Sequence, residues 1–384
     1  MKLNTSPFSK SLSLPEEKAK YEPDDISLKE LYREWNVKLL KNIGFGGFSI
    51  VKLAYNEKTG KYYACKIVNI KNDKFKTKTK EHIEKTILNE IQMGEILKDD
   101  YLVNMLQTIQ INDNYYFLME NMEYGNLKSF IENAINNNCS ELLCSYFIHQ
   151  CLLGLNYMHS QLIVHRDIKL ENILINKSYH IKIADFSMCS QLKPNNKYSI
   201  SRSGTIAFLP PECFVEISGS KKKLLTTEAS LKKDIFALGI SMYKLLFKEH
   251  PFDYEFKMPR EEYQLNFNKV KPKYDLKYIT NDCKDFLKGL LMLDVSKRFD
   301  IKEALKHNWI IKTQSIIKSL QKKNKNKENF DLIKELNNFI MDEDFEYIKE
   351  KKSVSEYSST KESEDKEFLK HKRKRNWSCM NVEK

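Results

Sequence analysis

Residues 164–172 read Val-His-Arg-Asp-Ile-Lys-Leu-Glu-Asn, and the dipeptide Asp-Phe follows at positions 185–186. The apolar runs at 162–164 and 173–175 predict two short buried strands with a loop between them. In that loop Asp167 can accept the proton of a hydroxyl group, and Lys169 can neutralise charge on a phosphoryl group. Asn172 and Asp185 offer oxygen atoms, which are the ligands that Mg²⁺ prefers. A solvated loop with an ordinary salt bridge is the alternative, and the segments upstream decide between the two.

A glycine-rich turn lies upstream, between two predicted strands in residues 39–54. Gly44, Gly46 and Gly47 carry no side chain, so the backbone there can approach phosphate groups closely. The turn leads into a strand and not into a helix, which argues against the dinucleotide-binding type of glycine-rich motif. A plain β-hairpin remains the alternative for this segment taken by itself.

The next predicted strand, residues 62–68, places Lys66 inside an apolar run. A buried ammonium group is costly unless an opposite charge pairs with it. Glu90, in a helical segment around residues 86–91, is the obvious partner. A surface lysine on an edge strand is the alternative.

In their order along the chain, these motifs resemble those of the eukaryotic protein kinase family, serine/threonine branch, over residues 36–310. The resemblance implies an α+β fold of two lobes: a small β-rich N-lobe at 36–120, a larger helical C-lobe at 124–310 and an ATP cleft between them. It also implies a Mg²⁺-dependent enzyme that transfers the γ-phosphate of ATP to serine or threonine hydroxyls of protein substrates. The calcium/calmodulin-dependent and cyclic-nucleotide-dependent groups are the most similar, on Glu171 and residues 307–310.

The same resemblance implies a role for individual residues. The expected catalytic residues, with the base first, are Asp167, Lys169, Lys66 and Glu90, and the expected Mg²⁺ ligands are Asn172 and Asp185. The residues expected around ATP include the glycine loop and, at residues 119–122, the gatekeeper and the hinge. They are Ile43, Gly44, Phe45, Gly46, Gly47, Phe48, Ser49, Val51, Ala64, Lys66, Met119, Glu120, Met122 and Leu174.

The resemblance further implies an activation segment that ends at Glu212, with Arg298 as the buried partner of that glutamate. A phosphate on Ser201 or Ser199 would be placed to engage Arg166, the residue before the expected base. An upstream activating kinase is therefore an expected partner. A merely polar loop around these serines is the alternative.

Three positions depart from the family pattern. Ser49 stands for the third glycine of the loop, and Ser187 stands for the glycine after the Asp-Phe dipeptide. Gly94 occupies a position that usually carries a bulky apolar side chain, four residues after the helix glutamate. Glycine also destabilises a helix by about 1 kcal/mol relative to alanine. Gly94 therefore predicts a loosely held active arrangement. Ser49 is compatible with a phosphate-covering loop, and Ser187 predicts restricted switching of the activation loop with activity retained.

The composition limits the size, the partners and the cellular environment that the protein can have. A chain of 384 residues with 41% hydrophobic content is long enough for two lobes with cores. The net charge of +12 suits acidic partners or an evenly spread lysine-rich surface. Eight cysteines without Cys-x-x-Cys spacing predict reduced thiols in an intracellular protein. The sequence contains no nucleic-acid module and no apolar run long enough to predict a transmembrane segment.

The termini differ in composition from the middle of the chain. Residues 1–35 are predicted to form a mostly disordered arm, and residues 311–384 a lysine-rich tail, largely disordered beyond a short helix near 329–349. The basic amphipathic segment 311–323 would pack on the large lobe or bind calmodulin. The cluster Lys370–Arg375 fits a nuclear import signal, a solubilising tail or a contact with acidic membranes. The expected location is cytoplasmic, with the nucleus as an alternative.

Two rival functions remain. A pseudokinase scaffold would bind nucleotide and transfer nothing, and Ser187 and Gly94 are its support. A small-molecule phosphotransferase with a kinase-like fold would phosphorylate a free alcohol. The activation segment and the helix that Asp234 opens argue against it, because the resemblance implies that these elements build a surface for peptides.

Overall fold

The computed structural model describes residues 24–46, 49–71, 80–135, 138–199, 203–214, 224–255, 257–274, 279–324 and 331–339. The strands are β1 (Val37–Phe45), β2 (Ser49–Asn56), β3 (Lys61–Asn69), β4 (Met105–Ile111), β5 (Asn114–Glu120), β6 (Ile163–Val164), β7 (Ile173–Ile175), β8 (Ile181–Ile183), β9 (Ser190–Gln191), β10 (Lys197–Ser199) and β11 (Leu224–Thr226). The helices are α1 (Asp25–Trp35), α2 (Lys80–Ile96), α3 (Leu127–Ala134), α4 (Glu141–Ser160), α5 (Thr227–Phe247), α6 (Arg260–Lys269), α7 (Asn281–Leu290), α8 (Ile301–Lys306), α9 (Asn308–Asn324) and α10 (Leu332–Asn338). Short 3-10 turns occur at Leu170–Asn172, Phe186–Met188, Ile206–Phe208 and Pro211–Cys213.

The small lobe is built on an antiparallel sheet of five strands in the order β1-β2-β3-β5-β4. One face packs against α1, and the other packs against α2 through residues such as Ile87, Met105 and Phe117. Lys66 lies at the centre of β3, opposite Val51 on β2 and Phe117 on β5. In this register the lysine side chain reaches α2 and Asp185 of the large lobe.

The large lobe surrounds two long helices, α4 and α5. Ser140 caps α4 by accepting a hydrogen bond from Leu143 N, and Thr226 caps α5 in the same way through Ala229 N. Both helices are apolar around most of their circumference, and most of their residues are buried, as in helices that form the centre of a core. The short hairpin of β7 and β8 and the pair of β6 and β9 lie against this core and carry the catalytic loop.

Helix α1 extends the small lobe before the boundary expected at residue 36. Asp24 caps it by accepting a hydrogen bond from Ser27 N at 2.7 Å. Leu31 and Trp35, one turn apart, are 0% and 8% exposed against the sheet. Few apolar residues in this segment contact the sheet, so its periodicity gave little signal. The described part of the assigned arm, residues 24–35, is therefore ordered structure.

The large lobe likewise continues past the boundary expected at residue 310. In α9 Ile310 and Ile317 are buried in the core of the large lobe, and Ile316 and Leu320 pack against it. Most of the apolar side chains considered for calmodulin therefore belong to the fold, whereas Ile311 is 54% exposed. Helix α10 buries Ile333 and Leu336 against α4, and Ser140 Oγ donates to the Leu336 carbonyl at 2.8 Å. The short helix predicted near 329–349 corresponds to α10. The cluster Lys370–Arg375 lies outside the described residues.

Among the described residues, none of the helices combines the length and the apolar character that crossing a membrane requires.

Candidate active site

The catalytic loop is held by a buried carboxylate of α5. Asp234 is 0% exposed, and it accepts hydrogen bonds from the backbone N–H groups of His165 and Arg166, both at 2.8 Å. His159 Nε2 lies 3.0 Å from the same carboxylate. Arg166 has φ of 71°, a left-handed conformation that is costly for a residue with a side chain. Asp234 thus compensates a strained turn and fixes the residue that follows, Asp167.

The Asp167 carboxylate has donors on both oxygens. Oδ2 accepts from Lys169 Nζ at 2.7 Å and from Asn172 Nδ2 at 3.0 Å. Oδ1 accepts from the backbone N–H of Thr205 at 2.9 Å and from its hydroxyl at 2.7 Å. Burial by itself raises the pKa of Asp167, but the donors from Lys169 and Thr205 outweigh it and hold the pKa below its ordinary value. The group is therefore an oriented carboxylate at neutral pH.

Thr205 was not among the site residues expected from the sequence. Its hydroxyl donates to Asp167 and accepts from Lys169 Nζ at 2.8 Å, so it joins the base to the lysine. It lies 38 residues from Asp167 along the chain. The motif itself held no sign of the contact, and only its position after Gly204, near the end of the activation segment, could have suggested one.

Lys66 joins the two lobes. Its ammonium group lies 2.6 Å from Glu90 Oε1 on α2 and 3.3 Å from Asp185 Oδ1 in the large lobe. Burial by itself lowers the pKa of Lys66, but the charges of Asp185 and Glu90 outweigh it and raise the net pKa. The predicted pairing of Lys66 with Glu90 is present, and the lysine is a permanent cation.

The backbone brings the segments of the two expected Mg²⁺ ligands together, since Ala184 N donates to the Asn172 carbonyl at 2.8 Å. Asn172 turns its amide nitrogen to the Asp167 carbonyl at 2.9 Å, which leaves its amide oxygen for another partner. Although burial raises it, the pKa of Asp185 falls to about 2, because Lys66 and the hydroxyl of Ser187 favour the charged carboxylate. Among the described residues no cluster of three or more His, Cys, Asp or Glu side chains could hold a metal. One carboxylate and one amide fit Mg²⁺, which keeps waters and uses substrate phosphates as further ligands.

A family model described as the protein kinase domain matches residues 37–310. The chain belongs to this family. The family and the two-lobed α+β fold predicted from the sequence are confirmed.

The curated relatives are named as kinases, some of them as serine/threonine-protein kinases. The chain is 29% identical over 273 residues to the serine/threonine-protein kinase cds1 of Schizosaccharomyces pombe, covering 71% of this chain and 58% of that protein. It is 30% identical over 275 residues to an Aurora kinase of Yarrowia lipolytica, covering 71% of this chain and 67% of that one. It is 27% identical over 317 residues to the protein kinase kin1 of Schizosaccharomyces pombe, covering 79% of this chain and 34% of that protein. The chain spans about half the length of the curated relatives it matches.

The glycine loop of this kinase domain closes the end of the β1–β2 hairpin. Gly44 lies opposite Val51, and the backbone N–H of Gly46 donates to the Ser49 carbonyl at 2.8 Å. Ser49 thus ends the turn as the first residue of β2, without a need for glycine there. Ile43 and Phe45 belong to the same hairpin. Gly47 and Phe48 lie outside the described residues.

The remaining expected nucleotide contacts line the junction between the lobes. Ala64 on β3 lies opposite Met119 on β5, and Met122 is 7% exposed just beyond that strand. Leu174 on β7 forms a bridge with Asn126. These positions put small-lobe and large-lobe residues on either side of the hinge.

The hinge is tied to both lobes through Glu120. Its carboxylate accepts from Lys182 Nζ on β8 at 2.8 Å and from Asn104 N before β4 at 2.6 Å. Lys182 lies 62 residues away and was not expected to take part. The side chain of Glu120 therefore has a structural role, since it connects the hinge to both lobes.

The Gly94 position is filled from another element. A Cβ built on Gly94 would lie 2.5 Å from Sδ and 2.6 Å from Cε of Met105, a β4 side chain that is 6% exposed. His165 and Phe186 contact each other edge to face, with ring centroids 6.2 Å apart. Met105 thus packs where the family usually has a side chain from the helix, and the Lys66–Glu90 pair stays closed.

The end of the activation segment is anchored as expected. Arg298 is 0% exposed, and it donates to both carboxylate oxygens of Glu212 at 2.7 and 3.0 Å. Ser199 ends β10, where it lies opposite Leu224 on β11, and nothing is described of its side chain. Ser201 lies outside the described residues.

Proposed function

We propose that the chain is a serine/threonine protein kinase that transfers the γ-phosphate of ATP to hydroxyl groups of proteins. One observation carries the proposal: Asp167 is an oriented carboxylate joined to Lys169, while Lys66 is held between Glu90 and Asp185. These are the parts that phosphoryl transfer uses to position its reactants and stabilise charge. Several sequence relatives support the same reaction, since their names describe serine/threonine-protein kinases.

In this proposal Asp167 orients the substrate hydroxyl and accepts its proton. The lowered pKa makes Asp167 a weak base, so catalysis relies on positioning and electrostatics more than on proton abstraction. Lys169 stabilises charge on the transferring phosphoryl group, and Lys66 binds the α- and β-phosphates. Asn172 and Asp185 would hold Mg²⁺, which neutralises phosphate charge when it is bound.

The nucleotide would lie under the β1–β2 hairpin and against the hinge. Gly44 and Gly46 leave room for the triphosphate, whereas Val51, Ala64 and Leu174 would enclose the adenine. The hydrophobic side chains of such a pocket bury the base, and the backbone of the hinge supplies the polar contacts. ATP is the cosubstrate that this arrangement supports.

We expect the enzyme to prefer, weakly, substrates with basic residues before the serine or threonine that is phosphorylated. Glu171, next to the catalytic loop, pairs with Lys128 of α3 at 3.2 Å, and both side chains are nearly half exposed. Such an exposed pair is worth about 0–1 kcal/mol, so a substrate arginine can compete for the carboxylate. Lys128 reduces the gain, because the arginine must displace it.

Phosphorylation of Ser201 or Ser199 by an upstream kinase would regulate the enzyme. Burial lowers the pKa of Arg166, and the Asp234 carboxylate opposes this effect by favouring the guanidinium cation. A phosphate in the activation segment would add a charge-assisted partner for the guanidinium group. The buried free thiols of the described residues agree with an intracellular, cytoplasmic location, which we also propose.

The test is incubation of full-length wild type and Asp167→Asn with labelled ATP, Mg²⁺ and a mixed serine, threonine and tyrosine peptide library. Asp100→Asn, the same substitution at an exposed turn residue, is the matched control. We expect transfer to serine or threonine by wild type and by Asp100→Asn, and loss in Asp167→Asn. Nucleotide binding without transfer, also after treatment with an activating kinase, would support a scaffold. Transfer to a free alcohol and to no peptide would support a small-molecule phosphotransferase.

A further inference from the structure

Helix α2 is joined to the start of the activation segment by one side chain, Asn89. Its amide nitrogen donates to the Ser187 carbonyl at 3.2 Å and to the Cys189 carbonyl at 3.1 Å. Both partners are carbonyl oxygens, which only accept hydrogen bonds. The amide of Asn89 must therefore turn its nitrogen, and not its oxygen, towards them. Asn89 therefore bridges two elements that are 98 residues apart in the chain.

The bridge closes a ring of contacts around Lys66. Glu90 follows Asn89 on α2 and pairs with Lys66 at 2.6 Å. Ser187 follows Asp185 by two residues, and Asp185 Oδ1 lies 3.3 Å from the same ammonium group. A displacement of α2 that separated Glu90 from Lys66 would also break the two hydrogen bonds of Asn89.

This chain has a particular need for such a bridge. Gly94, one turn further along α2, extends no side chain towards the Phe186 ring, and Met105 of β4 fills the space. The part of α2 around Gly94 therefore contributes less side-chain contact to the activation segment than the family pattern would. The 3-10 turn Phe186–Met188 lies against α2, and its Ser187 carbonyl is one of the two that Asn89 binds.

We propose that Asn89 is a positioning residue for phosphoryl transfer: it locks α2 to the residues after Asp185, so that Lys66 faces both of its carboxylates. This inference rests on the proposed kinase function. Asn89 contacts neither substrate nor nucleotide and acts through the Lys66–Glu90 pair. The amide of Asn89 thus holds α2 to the residues after Asp185, a contact to which Gly94 contributes no apolar side chain.

The test is a double-mutant cycle in the full-length protein. Asn89→Ala removes the amide and keeps α2 helical, since alanine is the best helix former. We expect kcat to fall about tenfold in the native background and at most about twofold in a Glu90→Gln background, where the pairing is already weakened. Gln92→Ala is the matched control, because Gln92 is an exposed amide on the same helix, and it should leave kcat unchanged.

Amide hydrogen exchange supplies a second readout that does not depend on turnover. Asn89→Ala should speed exchange in residues 186–190 and in α2, and Gln92→Ala should not. An equal loss of kcat in both backgrounds would show a general structural role and overturn the proposal, as would unchanged kcat or unchanged exchange. If wild type transfers no phosphate, the kinase function fails, and exchange alone then decides: unchanged exchange in Asn89→Ala overturns the bridge, and faster exchange supports it.

Discussion

The buried ion pair between Glu212 and Arg298 yields a quantitative prediction for Glu212→Gln. Arg298 is 0% exposed and Glu212 6%, and two hydrogen bonds of 2.7 and 3.0 Å join them. Arg298 also donates from Nε to the Met292 carbonyl at 2.9 Å, so it cannot turn towards solvent without further losses. Glutamine preserves the shape but removes the negative charge. Removing one partner of a buried pair costs about 3–5 kcal/mol, because the other charge stays buried and unpaired.

The matched control is the same substitution in an exposed pair, Glu171→Gln. Glu171 and Lys128 are 42% and 48% exposed, and their pair is worth about 0–1 kcal/mol at most. The two pairs differ most in burial, which predicts a difference of at least about 2 kcal/mol in the free energy of unfolding.

Equilibrium urea unfolding measures this difference. Trp309 is 1% exposed in the large lobe and stacks on Phe286, and Trp35 is 8% exposed in the small lobe, so tryptophan fluorescence reports on the unfolding of both lobes. Circular dichroism at the same urea concentrations checks that both probes report one transition. Free energies of unfolding within 1 kcal/mol of each other for the two variants would refute the reasoning that burial sets the value of the pair.

Three further predictions follow from the same structure. Asp185 has a folded pKa of about 2 against an ordinary 3.8, so its contribution to stability is present above the ordinary value and is lost as the pH falls towards 2. Acid unfolding should therefore show the stability deficit of Asp185→Asn shrinking below about pH 4, and a constant deficit would contradict this. Leu336→Ala should cost about 2–3 kcal/mol in urea unfolding because Leu336 is 0% exposed, whereas Ile311→Ala, at 54% exposed, should change stability by less than about 0.5 kcal/mol. Gly94→Leu should cost about 1–3 kcal/mol by displacing Met105, and adding Met105→Ala should restore most of it; a Gly94→Leu protein as stable as wild type would rule out the tight packing.

The fold and much of the candidate site could be predicted because their signals are local. Residues 164–172 hold a base, a lysine and an amide within one short loop. The apolar runs beside this loop form β6 and β7. The lysine of β3 stands out because a charge inside an apolar strand requires a partner. Helix α1 was missed, since only a few of its residues, such as Leu31 and Trp35, bury apolar surface.

The sequence by itself determined the family, the two-lobed fold and the types of residue that phosphoryl transfer requires. Only the tertiary structure decided which of them meet: Lys66 and Asp185 lie 119 residues apart in the chain and 3.3 Å apart in space. The contacts of Thr205 with Asp167, and of Met105 with Gly94, likewise join separate elements. A local pattern encodes the conformation of its own segment, whereas contacts such as these depend on how whole elements pack, which a local motif does not specify.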